Sequence, residues 1–258
     1  MKPFGLSYNF GLAKAIFRRE FTAMYKRTSL GPLWALVAPA MYMLVFIFFR
    51  LLFGLSNPEG IPMLPFLFSG LALWLLFSTT LSSIFPALIS NVGIMKKMPI
   101  NPMVFVLSGS LMPLLTCGTH VVLLEALLVY YGYMPSAQHL LIPFIVLLVQ
   151  AFAVGIGMLV CSVGFYRQDI IQLLPTVIQL GMFATPVFFS PSIIPEKLKW
   201  AFAYNPIAIC VQWLRDIIFF ETVPQAGSVI RVLLCLAVLW VVGFLFFRRT
   251  SRYIADIY

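Results

Sequence analysis

Six long apolar runs, separated by short breaks rich in proline, glycine and charge, organise this chain. The runs Leu33–Gly54, Leu64–Ile89, Val104–Tyr131, Leu140–Tyr166, Ile170–Phe189 and Ser228–Phe247 each predict a helix of about 20 residues or more, the length that crosses a bilayer. They are continuously apolar, whereas the strands of a transmembrane barrel read as roughly ten-residue alternating segments, so helices are predicted. Ahead of the first run, Phe10, Phe17, Phe21 and Met24 recur at helical spacing, with Lys14, Arg18 and Thr22 on a second stripe. That pattern predicts an amphipathic helix lying flat among the headgroups, its basic face toward anionic lipid or a soluble partner. Between the second and third runs, Asn91–Met103 is short and basic. Pro99 and Pro102 prevent it from continuing the flanking helices, and Gly93–Met98 has room for one or two helical turns. The segment Ser190–Gly227 alternates breakers such as Pro191, Pro195, Asn205, Pro206 and Pro224 with apolar stretches too short to span. It predicts a pair of short helices, either re-entrant or lying on the outer surface.

Composition supports this outline and removes several classes of function. The chain has 258 residues, of which 62% are hydrophobic and only 10% charged, and its mean hydropathy is +1.00. A soluble domain carries about 25% charged residues. Six spans leave no room for a soluble catalytic domain, so the chain divides into a cytoplasmic amphipathic interface segment (1–30) and a six-helix transmembrane domain (31–258), with residues 190–227 re-entrant. The first 30 residues lack the apolar core of a cleavable signal and hold Lys14, Arg18, Arg19, Lys26 and Arg27. The four cysteines, Cys117, Cys161, Cys210 and Cys235, fall in apolar stretches without metal spacing and read as buried thiols. No nucleic-acid partner is implied by the basic balance, because the cations gather at the ends of the apolar runs. With six spans, one side holds 12 of the 17 Lys and Arg residues, including both termini, which predicts cytoplasmic termini.

The chemistry is sparse. No catalytic constellation or phosphate loop of the form GxxxxGK[ST] is present, so active transport would draw its energy from another chain or an ion gradient. Glu125 and His120, in the third run, are either polar groups satisfied by a neighbouring helix or parts of a proton relay. Arg167 and Asp169 stand at the start of the fifth run, pairing with each other or with a partner protein. Gln172 and Gln179 share one face of that run, as interhelical glue or as donors to a hydroxyl-rich substrate. Tyr42, Phe46 and Phe49 repeat at i, i+4, i+7 along the first run, either packing or lining a wide passage where rings would stack on sugar faces. The stretch Tyr25–Pro39, YKRTSLGPLWALVAP, turns from basic to apolar at Leu30-Gly31-Pro32-Leu33-Trp34, a helix junction at the membrane surface.

In order along the chain, these features resemble a known family: the permease subunits of ABC-2 type polysaccharide exporters. The likeness rests on the basic amphipathic helix, on Tyr25, Thr28, Leu30-Gly31 and Leu33-Trp34 with Pro39, on Arg167 and Asp169 with Pro175 and Gln179, on Thr185-Pro186-Val187 with Phe189, Pro195 and Asn205-Pro206, and on Ala255-Asp256 near the end. The resemblance implies an all-α, six-span integral membrane protein of the bacterial inner membrane. It implies a homodimer working with two copies of a separate ATPase, which would hold the ATP and Mg; no cofactor or metal is expected in this chain. By the same likeness, Arg18, Arg19, Lys96, Lys97, Arg167 and Asp169 would dock the ATPase. Leu30, Gly31, Pro32 and Trp34 would form the gate that admits a lipid-linked glycan, Tyr42, Phe46 and Phe49 would line the channel, and Pro195, Asn205 and Pro206 would belong to the outer gate. The implied cargo is undecaprenyl-linked polysaccharide, with O-antigen favoured over capsule because Thr185-Pro186-Val187 and Ala255-Asp256 look more like O-antigen and teichoic acid exporters; capsule or teichoic acid is the alternative cargo. A drug or lipid exporter of the same type is the nearest rival, and scattered acids argue against a membrane enzyme acting on lipid-linked sugars.

Overall fold

The computed structural model describes residues 11, 14–16, 18, 19, 21, 22, 31–53, 60–98, 100–190 and 195–251. All regular structure among them is helical. After a 3-10 turn at Gly31–Leu33 come α1 (Trp34–Phe53), α2 (Met63–Ile89), α3 (Val92–Lys97), α4 (Met103–Tyr130), α5 (Ile142–Gly164), α6 (Gln168–Phe183), α7 (Glu196–Ala203), α8 (Pro206–Phe220) and α9 (Ala226–Thr250). Residues 14–16, 18, 19, 21 and 22 are helical too, in line with an N-terminal helix, while Phe10, Phe17 and Met24 lie outside the described residues.

The breaks follow from the local sequence. Met98, ahead of Pro99, is extended (φ −136°, ψ 137°), which ends α3 after six residues. Asn205 caps α8, its Oδ1 accepting from the backbone N–H of Ile207 and Ala208, and Pro206 occupies the first helical turn. Glu221 then adopts a left-handed φ of 52° and closes the helix, with Thr222 N–H donating back to Asp216 O at 3.0 Å.

Helix α2 is the axis of the bundle, packed chiefly against α4 and α5 and also against α8. Residues all round it are buried, from Phe66 to Leu88, as expected of a helix that is apolar on every side. Small residues permit the tightest approaches. A Cβ on Gly109 would lie 2.7 Å from Ala87 Cβ, and one on Gly243 would lie 2.9 Å from Gly155 O, which brings α4 onto α2 and α9 onto α5. A buried polar relay ties three helices: Thr80 Oγ1 donates to Gln150 Oε1 at 2.8 Å, and Gln150 Nε2 donates to Ser110 O at 2.7 Å.

Among the described residues, four helices are long and apolar enough to cross a membrane: α2, α4, α5 with its preceding 3-10 turn, and α9. Helix α1 carries the shorter apolar stretch Trp34–Phe49. The fifth apolar run differs from its expected bounds. Its helix stops at Phe183 after 16 residues, about 24 Å at 1.5 Å per residue, because Pro186 supplies no N–H and disfavours a helical Thr185. The expected pair of short helices in residues 190–227 is present as α7 and α8.

The elements sort into two ends. One apolar cluster joins Ile16, Val92, Ile100, Phe165 and Phe247, so the N-terminal helix, α3 and the closing ends of α5 and α9 meet at one end. At the other end, Ile61, Phe66 and Leu67 pack with Phe46, Phe188 and Phe219.

Candidate functional site

The first end is the basic one. Arg18, Lys96 and Lys97 are exposed over the apolar cluster, as are Arg167 and Asp169 at the α5–α6 corner. Phe165, just before that corner, packs in the same cluster and meets Phe85 with ring centroids 5.9 Å apart. The six residues expected to dock a partner thus belong to segments that meet at one end of the molecule. One of them also has a structural role. Arg19 Nη2 donates to Asn91 Oδ1 at 3.0 Å, and the buried Asn91 donates in turn to Ala87 O at 2.7 Å. This tie holds the N-terminal helix to the α2–α3 corner. Asn91 does not stand out in the sequence, although an Asn at a helix junction is a usual local hydrogen-bonding residue.

Leu30 lies outside the described residues. Beside it Gly31 has φ +49°, with no atom within 4 Å of where a Cβ would sit, so its glycine is required by backbone conformation and not by crowding. Trp34 is half exposed and lines a cavity of about 460 Å³ between α1, α2 and α4. Pro39, Pro113, Thr79, Ser83 and Thr116 line it, with His120. His120 Nε2 donates to Ala35 O at 2.8 Å and fastens α4 to α1. Glu125 pairs instead with His139, both carboxylate oxygens lying about 3 Å from Nδ1 (2.9 and 3.0 Å). His120 and Glu125 of α4 are therefore held by separate neighbours.

The first-run aromatics do not share one environment. Tyr42 and Phe49 are exposed, whereas Phe46 stacks on Phe188 with centroids 3.3 Å apart and planes 14° apart. On α6, Gln172 and Gln179 are exposed beside Leu173, Val177, Leu180 and Phe183, a mixed polar and apolar face without cover in the single chain.

At the second end, residues from two sequence motifs meet. Asn205 Nδ2 donates to Thr185 Oγ1 at 3.2 Å, and Thr185 Oγ1 donates to Gly181 O at 3.0 Å. Pro195 starts α7 and is exposed, and Pro206 starts α8. Farther along α8, Arg215 is 2% exposed. Its Nη1 donates to Pro186 O at 2.7 Å and its Nη2 to Val187 O at 2.6 Å, with longer bonds of 3.4 Å to Phe189 O and Phe66 O. The guanidinium lies 3.8 Å from the centroid of the Phe66 ring. One planar donor fork thus holds the Thr185–Phe189 turn against α8 and the start of α2, which a lysine ammonium cannot duplicate. In the sequence Arg215 stands only among cations near or within apolar stretches; a lone arginine within an apolar helix is the signal that marks it.

No group of three His, Cys, Asp or Glu residues able to hold a metal occurs among the described residues. Cys117, Cys161 and Cys210 are buried, but Cys235 is exposed on α9, among apolar neighbours such as Leu234 and Val238.

Comparison with known proteins connects these features. The profile of the family described as ABC-2 type transporter matches residues 11–219. The O-antigen export system permease protein RfbA of Klebsiella pneumoniae is 26% identical over 98% of this chain and 97% of its own length. The protein of the same name from Myxococcus xanthus is 25% identical over 96% of this chain and 95% of its own length. The capsule polysaccharide export inner-membrane protein CtrC of Neisseria meningitidis is 22% identical over 92% of this chain and 90% of its own length.

Proposed function

The chain belongs to the ABC-2 type transporter family, and on that footing we propose that it is the membrane-spanning permease that exports a lipid-linked polysaccharide, O-antigen in the first instance, across a bacterial inner membrane. The observation that carries the reading is the near full-length likeness to permeases named for O-antigen export, over 98% and 96% of this chain. Capsule export is the second reading, favoured by the match to the Neisseria protein.

The molecule is suited to such a role. The basic end, with Arg18, Lys96, Lys97, Arg167 and Asp169, is the cytoplasmic docking surface for an ATPase, and α3 is the short helix that transmits its movement. Both termini lie on that side. Six segments cross the membrane when α1 and α6 are added to the four long helices, and α7 and α8 re-enter from the outer side, where Pro195, Asn205 and Pro206 set their starts. The exposed faces of α1 and α6 carry Tyr42, Phe49, Gln172 and Gln179, a combination that would offer rings and amides to sugar faces and hydroxyls across the axis of a homodimer. Gly31, Pro32 and Trp34, together with Leu30, would admit a lipid-linked glycan. ATP and Mg would be held by the ATPase subunits.

Deletion of the gene tests the reading. The surface polysaccharide should disappear while its lipid-linked form accumulates inside the cell, and the gene supplied in trans should restore export. Persistence of the surface glycan in the deletion strain would overturn the proposal.

A further inference from the structure

Next to the turn that Arg215 holds is a cavity of about 790 Å³, within the usual size of small-molecule sites. One face of α8 forms a wall, and α7 and the Thr222–Ser228 link into α9 complete it. The polar residues that line it are Lys199, Gln212, Asp216, Thr222, Gln225 and Ser228, beside Trp213. Gln212 Nε2 donates to Asp216 Oδ1 at 2.8 Å, so the amide is oriented by the acid one turn along. Its other atom, Oε1, is buried and meets no hydrogen-bond donor in the protein. That acceptor carries a desolvation cost, and a ligand hydroxyl removes it once the Gln212 side chain turns outward into the cavity.

The charges indicate what kind of ligand fits. Lys199 is paired with Glu196, and Asp216 is an acid, so the cavity has no surplus of positive charge. A phosphate headgroup needs uncompensated cations or converging backbone N–H groups. A neutral polyol needs interspersed donors and acceptors beside an apolar wall, because each hydroxyl both donates and accepts. We propose that this cavity binds a short segment of a glycan, with Gln212 and Asp216 holding its hydroxyls and Trp213 forming the apolar wall. The proposal rests on the polysaccharide-export reading and names a second contact for the exported chain, outside the passage lined by α1 and α6. Helix α8 also bears Arg215 and is capped by Asn205, so a sugar held here bears on the same rigid element that holds the Thr185–Phe189 turn.

The test is isothermal titration calorimetry on the full-length permease in lipid nanodiscs. The probe is the producing cell's own surface polysaccharide, freed of lipid by mild acid, with glycerol phosphate as a headgroup control. Saturable binding of the glycan is expected, weakened at least tenfold by Gln212→Leu and by Asp216→Asn. Val223→Trp, at an exposed position lining the cavity, should fill it and remove the same binding phase even if the α8 variants fail to fold, leaving only the contact in the passage lined by α1 and α6. Unchanged glycan affinity in Val223→Trp, no binding by the unaltered permease, or saturable binding of glycerol phosphate weakened by the same variants would each overturn the proposal. None of these outcomes touches the export reading, which stands or falls on the surface glycan of the deletion strain.

Discussion

Replacing Arg215 by Met is the sharpest perturbation the fold offers. The side chain keeps its length and apolar stem, but the donors to Pro186 O and Val187 O, at 2.7 and 2.6 Å, are lost. Hydrogen bonds from a charged group contribute about 1.5–3 kcal/mol each, and the contact with the Phe66 ring adds about 1–2 kcal/mol. Against this stands the relief of a buried guanidinium, which is several kcal/mol once the protein has relaxed around the charge, and hydrogen bonds within membrane proteins average only about 0.6 kcal/mol in double-mutant cycles. The two carbonyls stranded by the change still cost about 1–3 kcal/mol each. A net loss of about 3 kcal/mol, localised in the Thr185–Ser190 turn, is the balance of these effects. Such a loss corresponds to about a hundredfold faster amide exchange, at roughly 1.4 kcal/mol per decade. Hydrogen–deuterium exchange on the reconstituted protein should show it at Val187 and at the start of α8, with the Met63–Ile89 and Ile142–Gly164 helices little changed. Arg215→Lys should fall between the two, because one ammonium cannot serve both carbonyls with the same fork. Wild-type exchange in Arg215→Met would refute the reasoning and reduce the guanidinium to a replaceable filler.

Three further outcomes are expected. Gly70→Ala would place a Cβ 2.7 Å from Val187 O and 2.9 Å from Arg215 Nη2, so it should cost about 1–3 kcal/mol and lower the Tm by several degrees; Gly93→Ala, on exposed α3 with nothing within 4 Å, should leave the Tm unchanged or raise it. Arg18→Glu should impair ATP-driven export with normal thermal stability, whereas Arg19→Ala should expose the N-terminal helix to protease, since Arg19 is tied to Asn91; equal protease resistance of the two variants would contradict this division of roles. Phe46→Ala should destabilise the protein by about 3 kcal/mol through loss of its packing on Phe188, while Tyr42→Ala with Phe49→Ala should reduce export at constant Tm, and the reverse pattern would return Tyr42 and Phe49 to packing.

Much of this protein is legible along the chain because its main organising force acts on consecutive residues. An apolar run must satisfy its own backbone in a bilayer, so Leu64–Ile89, Val104–Tyr131, Leu140–Tyr166 and Ser228–Phe247 foretell α2, α4, α5 and α9 to within a few residues. Proline and asparagine signals act equally locally: Pro99 limits α3, and Asn205-Pro206 starts α8. Even the early stop of α6 at Phe183 is written in Pro186, though the apolar residues after it hide the signal.

Tertiary structure alone decided which polar groups have partners and which aromatics face inward. Arg215 and Phe66 O are 149 residues apart in sequence and 3.4 Å apart in space; no periodicity could have joined them. Phe46 and Phe49 lie on related faces of one helix, yet only Phe46 has the Phe188 ring opposite it, so spacing could not separate a packed ring from an exposed one. Likewise Arg18 and Arg19 are exposed neighbours with equal charge, and it is the buried Asn91 that makes Arg19 a strut. Hydrophobic runs and breakers are properties of consecutive residues, so the sequence by itself determined the helices and their basic end. Pairing energies depend on distance in three dimensions, so the clamp at Arg215, the tie at Arg19 and the cavity beside Gln212 existed only once the helices had packed.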